Sequence, residues 1–572
     1  MNFKHLESVD KLRGGYYTPS KLADILSIWA LSGKGHHVLE PGCGDGSFLR
    51  SILKVTSSKL VIPEMTIDGV EILHDEAEKT KKVAESLEEL GVRVNIHETD
   101  FLEWIVSMPL SITWDVIIGN PPYIRYQYFD KTQREYAESI FNQAKVPFTK
   151  LTNAWVPFVI ASILHLAPKG YLAMVLPEEL LHILHAAGLR NLLQREMEQV
   201  DIVDIRELAF KDALQGVILL RAIKKARSFI SLHYTQKKNV GKENAKTNAF
   251  INIQRLNNLE GLGSLSSLYK QEEFNGVNNG KWTHLFLSKE ELDLLQIIDT
   301  KVGIYLFKNV ANVDIGIVTG ANKFFVVNRT TAEKYELLNI SLPMLARSEF
   351  IKGITYTDAD QKQNESEGKA VLFLRFPAIS KEAMPEKMSE YIELGEKQEL
   401  NSRYKCRIRT PWYIVPYIWK ANIGLLKRCH KFPRVVLNEL GALSTDTAYR
   451  IVMNDGYRGR EKDLVFSFFN SLTLLSAELE GRHYGGGVLE LVPSEIERLR
   501  IPLVNITTTQ FSHLDKMVRD GESIDAILNF TDPLVLGSSS SVNLCQNDIN
   551  IIRSATNRLR DRRLRTNLQY TE

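Results

Sequence analysis

The sequence predicts an α/β domain built on a mostly parallel sheet, followed by a second domain of the α+β class. Short apolar, often β-branched runs alternate with helical patterns from residue 20 to residue 230. Strands interleaved with helices in this way favour a parallel sheet that is covered on both faces. Beyond about residue 255 the alternation gives way to short strands, turns and a few helices. No repeat with a period of about 20–50 residues is present, which excludes solenoids and propellers.

The first domain is expected to cover residues 1–255 and the second residues 256–572. Seven runs of the first domain predict strands: HHVLE, MTIDGVEI, VRVNIHE, WDVIIGN, GYLAMVLP, VDIVDIREL and GVILLRAI. Helical patterns lie between them at Ser47 to Lys54, His74 to Leu90 and Glu178 to Glu198. The polar segment 236–248 is expected to be a hairpin loop or a linker at the domain edge.

Composition places the chain among globular proteins, because 44% of its 572 residues are hydrophobic and 24% are charged. The net charge of +2 does not by itself indicate a nucleic-acid partner. Four scattered cysteines without a CxxC pair argue against a disulfide framework and a structural zinc site. The N-terminus lacks the apolar core of a signal peptide, and no run of about 18 apolar residues could span a membrane. We therefore expect a cytoplasmic protein with no metal site and no membrane partner.

A glycine-rich turn, EPGCGDGSFL at residues 40–49, connects an apolar strand to a helix. Gly42 and Gly44 can adopt positive φ and let a ligand approach the backbone, while the helix N-terminus supplies free N–H donors. The turn is not a P-loop, because no Gly-Lys-Ser/Thr follows, and it departs from the dinucleotide GxGxxG spacing. Glu40, an acidic residue, ends the strand. In isolation such a turn is explained equally well as a tight connection between strand and helix.

The next two strands also end in carboxylates. Glu71, followed by Ile72, ends the second strand, where doubly wound sheets place an acid to bind ribose hydroxyls. Asp100 and Phe101 follow the third strand and offer a carboxylate for an adenine amino group and a ring to cover the base. Each acid alone is better explained as a solvated loop carboxylate. Glu, Glu and Asp at three consecutive strand ends instead indicate a nucleoside-containing cofactor.

This pattern resembles the S-adenosylmethionine site of class I methyltransferases, which are built on a Rossmann-like mixed sheet. The resemblance implies that the cofactor, S-adenosyl-L-methionine, is bound by Glu40, Gly42, Gly44, Glu71, Ile72, Asp100 and Phe101. Upstream, Tyr17 and Thr18 belong to GYYTP, residues 15–19. That segment resembles the N-terminal motif that contacts the methionine part of the cofactor in DNA methyltransferases.

A second loop carries the chemistry of the expected reaction. The strand WDVIIG ends in Asn120, Pro121, Pro122 and Tyr123, at the strand end where open α/β sheets bind ligands. The prolines fix φ and remove N–H donors, so that carbonyl acceptors point outward from a rigid turn. The Asn120 side-chain oxygen and the Pro121 carbonyl can accept hydrogen bonds from one amino group, whose lone pair then attacks a sulfonium methyl. Tyr123 offers a face for stacking, and Asn120 is also expected to contact the cofactor.

Together these motifs identify the chain as similar to γ-class N(6)-adenine DNA methyltransferases of restriction-modification systems, the TaqI type. The resemblance covers about residues 14–225 and rests on the order GYYTP, EPGCGDGSFL and NPPY. It implies base flipping, double-stranded DNA as substrate, a C-terminal target-recognition domain, and a separate cognate restriction endonuclease as a functional partner. Phe210 matches the family aromatic that packs against the flipped base, or it is an ordinary core residue. Arg125, just after NPPY, is expected to add a phosphate contact, and we expect a monomer.

The second domain has a composition suited to DNA. Residues 401–434 contain nine basic residues and no acid, and the aromatic residues Tyr404, Trp412, Tyr413, Tyr417 and Trp419 are interleaved with them. Basic charge supplies affinity for phosphates, and aromatic and arginine side chains reach bases. The residues expected to contact DNA are Arg403, Lys405, Arg407, Arg409 and Lys420. The alternative is a basic solvated face over a strand packed by aromatics. Residues 313–325 and 481–491 resemble turns of the family's target-recognition domain, or are plain turns.

The C-terminal segment 551–565 holds six arginines and one aspartate, and it either binds phosphates or is a mobile end. Three other functions remain open for the whole chain. The first is methylation of RNA or of a protein glutamine through the same NPPY loop. The second is a combined restriction enzyme and methyltransferase, against which we note that only fourteen residues precede Gly15. The third is a DNA-binding protein with a degenerate cofactor site. The favoured reading is a modification methyltransferase acting on duplex DNA.

Overall fold

The structure of the protein is a computed structural model that describes residues 17–33, 37–58, 64–124, 128–149, 152–205, 216–226, 249–256, 280–538 and 540–564. The chain divides into two compact units, and the boundary between them falls between Phe286 and Leu287. We refer to them as the first and second units. In the described ranges no helix is both long enough and apolar enough to cross a membrane.

The first unit is built on one eight-stranded sheet. Its strands are β1 His37–Pro41, β2 Thr66–Glu71, β3 Arg93–Glu98, β4 Trp114–Gly119, β5 Leu166–Pro177, β6 Met197–Ile205, β7 Val217–Lys224 and β8 Phe250–Leu256, in the order β3-β2-β1-β4-β5-β7-β6-β8. Strands β1 to β5 run parallel to one another, whereas β7 is antiparallel to both β5 and β6, and β8 is parallel to β6. This arrangement confirms the predicted Rossmann-like mixed sheet.

Seven α-helices accompany this sheet in the described residues. The sequence favours them because their apolar residues recur at helical spacing, as on the helix beginning at His74, whose buried side chains are Ala77, Thr80, Ala84 and Leu87. The helices are α1 Ser20–Ala30, α2 Ser47–Ser57, α3 His74–Glu88, α4 Phe101–Ser107, α5 Lys131–Gln143, α6 Trp155–His165 and α7 Ala187–Glu196. Helix α6 is buried along its whole length.

One helical prediction is wrong. Residues 178–198 do not form a continuous helix: two short 3-10 turns precede α7, and β6 begins at Met197. The cause is the buried guanidinium of Arg190, whose Nη1 atom donates to the carbonyl oxygens of Leu180 at 2.8 Å and Ile183 at 3.0 Å. In an unbroken helix those carbonyls would accept backbone N–H groups instead. The predicted loop at 236–248 lies outside the described residues.

The second unit combines several small sheets with helices, as predicted for an α+β domain. The strands are β9 Ile304–Leu306, β10 Ala311–Asp314, β11 Val326–Val327, β12 Ser341–Leu345, β13 Thr355–Tyr356, β14 Leu372–Leu374, β15 Ile423–Leu426, β16 Arg428–Cys429, β17 Val435–Asn438, β18 Leu443–Ser444, β19 Ala448–Met453, β20 Arg482–Tyr484, β21 Val488–Glu490 and β22 Arg500–Pro502. The sheets of this unit have the orders β10-β19-β15-β17-β13, β11-β14-β12-β18, β16-β21-β20 and β22-β9.

The second unit also contains helices, some of which pack on a hydrophobic core rich in aromatic residues. In this core the Phe324 ring packs on Tyr391 at 4.7 Å and on Trp412 at 5.0 Å between ring centroids. The helices are α8 Lys289–Asp299, α9 Phe307–Val310, α10 Asn322–Phe325, α11 Arg329–Lys334, α12 Asp358–Ser366, α13 Glu386–Lys397, α14 Tyr404–Arg407, α15 Glu461–Ser467, α16 Ser471–Glu480, α17 Pro493–Ile496, α18 Thr508–Arg519, α19 Ile524–Val535 and α20 Gln546–Leu564.

The arginine-rich C-terminal segment is a packed helix as far as Leu564, not a mobile end. It forms α20, which packs along α16, and the Thr556 hydroxyl donates to the Ser471 carbonyl at 3.0 Å. Buried or half-buried ion pairs join α20 to the rest of the unit: Arg553–Asp532, Arg558–Glu291 and Arg563–Glu478. These three arginines therefore neutralise carboxylates inside the unit, and a phosphate contact by the other arginines of the segment stays a prediction.

Candidate active site

The C-terminal ends of β1, β2, β3 and β4 lie along one edge of the parallel part of the sheet. β1 and β4 are neighbours, although β2 and β3 come between them in the sequence. They therefore flank the point where the chain reverses its direction of progress across the sheet, which is where open α/β folds bind ligands. The predicted cofactor turn follows β1, and the predicted catalytic loop follows β4.

The cofactor turn has the left-handed backbone that its glycines predict. Gly42, Gly44 and Gly46 have φ of 71°, 53° and 83°. The Gly42 and Cys43 N–H groups donate to the Val70 carbonyl at 2.9 and 3.0 Å, which ties the turn to β2. A Cβ on Gly44 would meet no atom within 4 Å, so this part of the backbone is open to a ligand.

Glu40 is an unusual residue at the base of this turn. Its side chain is 1% exposed, and its Oε2 atom has no hydrogen-bond partner within the described ranges. Burial raises its pKa well above the ordinary value, and the negative charges of Asp45 and Glu71 raise it further. A buried carboxyl without a partner is costly unless a cation or a donor compensates it. The site is therefore prepared for a positively charged group.

Glu71 fixes the shape of the turn. Its Oε2 atom accepts the Gly44 N–H and its Oε1 atom accepts the Leu73 N–H, both at 2.9 Å. A carboxylate has room for about four hydrogen bonds, so each oxygen can still accept a ribose hydroxyl. The Thr80 hydroxyl, which the sequence did not single out, donates to the Gly44 carbonyl at 2.6 Å. The sequence signal that could have identified Thr80 is its position on the face of α3 that is buried.

Asp100 caps a helix, and Phe101 is an interior residue. Asp100 Oδ1 accepts the N–H groups of the first turn of α4 at 2.8 and 3.1 Å, while Oδ2 accepts from Gln133 Nε2 at 2.8 Å. The Phe101 ring is 3% exposed and packs on Phe158, with 4.7 Å between the ring centroids. The expectation that this ring is open to a base is therefore not met. Ile72, at 56% exposure, is instead an open apolar side chain of the region.

Tyr17 and Thr18 of the N-terminal motif lie just before α1. The exposed Tyr17 hydroxyl donates to Glu76 Oε1 at 2.9 Å, and this hydrogen bond raises the pKa of the tyrosine. Thr18 is buried. Tyr17 is thereby linked to α3, the helix that also carries Thr80. Its contact with a cofactor stays a prediction.

The NPPY loop follows β4 directly and is anchored at both ends. A Cβ on Gly119 would lie 3.3 Å from the Pro41 carbonyl oxygen, so the ends of β1 and β4 approach closely. Pro121 is buried and Asn120 is half-buried. The Tyr123 hydroxyl donates to the Val175 carbonyl in β5 at 3.1 Å, which holds the ring against the sheet. Phe210 and Arg125 lie outside the described residues.

In the second unit, the basic residues between positions 401 and 434 include both exposed side chains and side chains paired inside the unit. Arg403, Lys405, Arg407 and Lys420 are exposed, and none of them takes part in the ion pairs found among the described residues. By contrast, Lys427 and Arg428 pair with Glu490. The exposed cations are those that could meet phosphates.

Arg409 is half-buried and bound to backbone carbonyls, and two of the interleaved aromatics are internal. Arg409 donates from Nη1 and Nη2 to the carbonyl oxygens of Thr319 and Val318, both at 2.7 Å, so its expected role as an open DNA ligand is wrong. Trp412 and Tyr413 belong to the hydrophobic core. The aromatic residues that remain exposed are Tyr404 and Tyr417. Local sequence could not separate these groups, because core and surface aromatics alternate along one segment.

Comparison with known proteins places both units in one group of enzymes. Residues 51–210 match the family described as Eco57I restriction-modification methylase, and residues 279–536 match the C-terminal domain of Type II methyltransferase M.Eco57I. Type II methyltransferase M.AccI of Acinetobacter calcoaceticus is 23% identical over 543 residues, which cover 91% of this chain and 92% of the relative. M.XamI of Xanthomonas campestris pv. amaranthicola is 22% identical, covering 86% of this chain and 85% of the relative.

Two solved structures are similar over most of this chain. The type IIG restriction endonuclease BpuSI aligns over 96% of this chain and 66% of its own, with 14% identity and a TM-score of 0.42. The Type ISP restriction-modification enzyme LlaBIII bound to DNA aligns over 91% and 40%, with 13% identity and a TM-score of 0.48. This chain spans less than two thirds of either solved chain. From the family matches and the curated relative, the chain belongs to the γ-class DNA methyltransferases of restriction-modification systems.

Proposed function

We propose that this chain transfers a methyl group from S-adenosylmethionine to the exocyclic amino group of adenine at specific sites in duplex DNA. The observation that carries the proposal is the adjacency of two loops. The glycine turn follows β1, and Asn120 to Tyr123 follow β4, its parallel neighbour. A cofactor loop beside a loop that accepts hydrogen bonds from an amino group suits transfer between two bound molecules.

The residues around β1 and β2 fit S-adenosylmethionine. Its methionine end carries positive charge, which suits the buried Oε2 atom of Glu40, an atom without a hydrogen-bond partner among the described residues. The open backbone at Gly44 admits a ligand, and the exposed Ile72 offers an apolar face to a planar base. When bound, this cofactor supplies a methyl group on an electrophilic sulfonium. Tyr17, Thr18 and Asp100 complete the proposed binding set.

The NPPY loop supplies the chemistry on the acceptor side. The Asn120 amide oxygen and the Pro121 carbonyl each accept one hydrogen bond from the adenine amino group, which leaves the nitrogen lone pair available. The nitrogen gains the methyl carbon as the bond between that carbon and the sulfonium sulfur breaks, which leaves S-adenosylhomocysteine. The nitrogen then releases one proton to solvent, so no general base with a shifted pKa is needed. Tyr123 stacks on the base. Its ring orientation is set by the hydrogen bond from its hydroxyl to Val175.

Duplex DNA is the proposed substrate because the second unit is large and presents exposed cations. Flipping a base out of a duplex costs on the order of a few kcal/mol, and stacking on an aromatic ring returns about 1–3 kcal/mol. The remaining free energy must come from contacts with the DNA backbone. Arg403, Lys405, Arg407 and Lys420 are exposed and available for phosphates. In the cell, we propose that methylation protects host DNA from a separate cognate endonuclease.

A filter assay tests the substrate class. The purified chain is incubated with radiolabelled S-adenosylmethionine and with duplex DNA, RNA or a peptide-chain release factor. We expect label on duplex DNA only, and none with Asn120→Ala. Asn95→Ala is the matched control, because Asn95 lies exposed on β3 and bonds only the surface carboxylate of Asp68 among its described contacts. Label on RNA or on release factor, with none on duplex DNA, would overturn the proposal.

A further inference from the structure

We propose that the second unit reads DNA through two segments that form one rigid element, and that Arg409 is the positioning residue that holds them in register. The first segment, residues 315–322, is called the glycine turn of the second unit, and the second, residues 403–409, is called the basic segment. The inference rests on the proposed DNA substrate and concerns how target sequences are distinguished.

Arg409 joins the two segments directly. Its guanidinium donates from Nη1 to the Thr319 carbonyl and from Nη2 to the Val318 carbonyl, both at 2.7 Å. The planar fork of an arginine can serve two neighbouring carbonyls at once, whereas a lysine ammonium acts as a single point charge. The conformation of the turn at Val318 and Thr319 therefore depends on a residue that lies 90 positions after Thr319 in the chain.

Gly320 makes the same junction tight. Its φ is 82°, and a Cβ at this position would lie 2.9 Å from the Lys405 Cβ and 3.1 Å from the Cys406 sulfur. A side chain here would be strained by the backbone and would push the turn away from the basic segment. The junction thus has two independent determinants, one polar and one steric.

The other side of the turn is fixed as well. The Ile317 N–H donates to the Ser444 carbonyl at 2.7 Å, and a Cβ on Gly316 would lie 1.9 Å from the Thr445 carbonyl oxygen. The Asn322 amide donates to Asp446 at 3.2 Å. The turn is therefore held between the basic segment on one side and the connection of β18 to β19 on the other.

The surface that results combines apolar and cationic side chains. Ile315, Val318, Tyr404 and Ile408 are large hydrophobic residues that are exposed by 42–64%. Arg403, Lys405 and Arg407 lie among them, and the charges of Lys405 and Arg407 are 5.6 and 5.9 Å from the centre of the Tyr404 ring. Cations fit phosphates, and apolar side chains fit the thymine methyl groups of the major groove. This mixture suits duplex DNA as the occupant.

The experiment compares site discrimination in three variants once the wild-type target has been mapped. Arg409→Lys removes the fork, and Gly320→Ala separates the two segments while Arg409 is intact. Arg434→Lys is the matched control, because Arg434 also donates to two backbone carbonyls of the second unit, at 3.1 and 3.2 Å, but not to the turn. For each variant, kcat/KM is measured on the target duplex and on duplexes with one altered base pair, together with KM for S-adenosylmethionine and the urea unfolding midpoint.

We expect Arg409→Lys and Gly320→Ala to lower the ratio of kcat/KM between target and altered duplexes by about 10- to 100-fold, the range that one base-pair contact contributes. KM for S-adenosylmethionine should stay at the wild-type value, and Arg434→Lys should keep the wild-type ratio. If the wild type does not methylate DNA at all, the proposed function is wrong. If the wild type methylates DNA and both variants keep its ratio, with or without a lower unfolding midpoint, the positioning role is wrong.

Discussion

Glu71→Gln tests whether a single carboxylate holds the cofactor turn in shape. Both oxygens of Glu71 accept backbone N–H groups at 2.9 Å, one from Gly44 and one from Leu73, and the side chain is buried. Glutamine keeps one acceptor oxygen and turns an NH₂ group toward the other N–H. One charge-assisted hydrogen bond is lost, and two donors then face each other.

The expected size of the effect follows from these contacts. A hydrogen bond to a charged group contributes about 1.5–3 kcal/mol. If this free energy holds the turn in its binding conformation, its loss weakens S-adenosylmethionine binding by about 10- to 150-fold. The free energy of unfolding should fall by a similar amount, about 1.5–3 kcal/mol.

Titration calorimetry with S-adenosylmethionine and urea unfolding measure both quantities. Glu98→Gln is the matched control, because Glu98 is the register partner of Glu71 on β3 but forms an exposed pair with His74 at 2.8 Å. An exposed pair contributes less than about 1 kcal/mol, so the control should bind the cofactor like wild type. Equal cofactor affinity in Glu71→Gln and Glu98→Gln would refute the reasoning.

Four further predictions concern other parts of the chain. Tyr123→Phe should keep most of the methyl transfer and Tyr123→Ala should lose most of it, because stacking needs the ring and not the hydroxyl; equal activity of Ala and wild type in the filter assay would contradict this. Burial raises the pKa of Glu40 well above its ordinary value, so the folded protein holds this proton more tightly than the unfolded chain, whose carboxyl ionises near about pH 4.3. Relative to Glu40→Gln, the wild type should therefore lose unfolding free energy as the pH rises above about 4.3, and parallel urea-unfolding profiles would contradict it. Arg563→Ala should lower the free energy of unfolding by about 3–5 kcal/mol through its buried ion pair; unchanged stability with weaker DNA binding would restore the phosphate role. Lys405→Gln should reduce the slope of log affinity for DNA against log salt concentration by about 1, with calorimetric cofactor affinity unchanged; an unchanged slope would remove Lys405 from the interface.

Much of the first unit could be predicted because its signals are local. Seven apolar runs gave seven strands, and parallel strands necessarily bring their C-terminal ends to one edge, so the sequence alone predicts that Glu40, Glu71 and Asn120 lie at one edge of the sheet. The details inside the site could not be predicted in the same way. Phe101 is buried because Phe158 packs on it, and Phe158 lies on α6, which is far from Phe101 in the sequence. No pattern in the neighbouring sequence reports that contact.

Basic residues of the second unit were harder to interpret for a related reason. Charge patterning counts cations but does not show what they touch. Arg409 binds backbone carbonyls and Arg563 binds Glu478, whereas Arg407 is exposed. The predicted helix over 178–198 failed similarly, because the Arg190 guanidinium takes carbonyls that local periodicity assigns to helix hydrogen bonds. Long-range partners decided each of these cases.

The most direct test of the central claim is to identify the methylated base. Duplex DNA treated with the purified chain and S-adenosylmethionine is digested to nucleosides, which are then resolved by mass spectrometry. We predict N6-methyladenine with the wild type and none with Asn120→Ala, confined to one short sequence when the sites are mapped. Methylated cytosine, or no methylated base in DNA while the cofactor is still consumed on RNA or protein, would contradict the account.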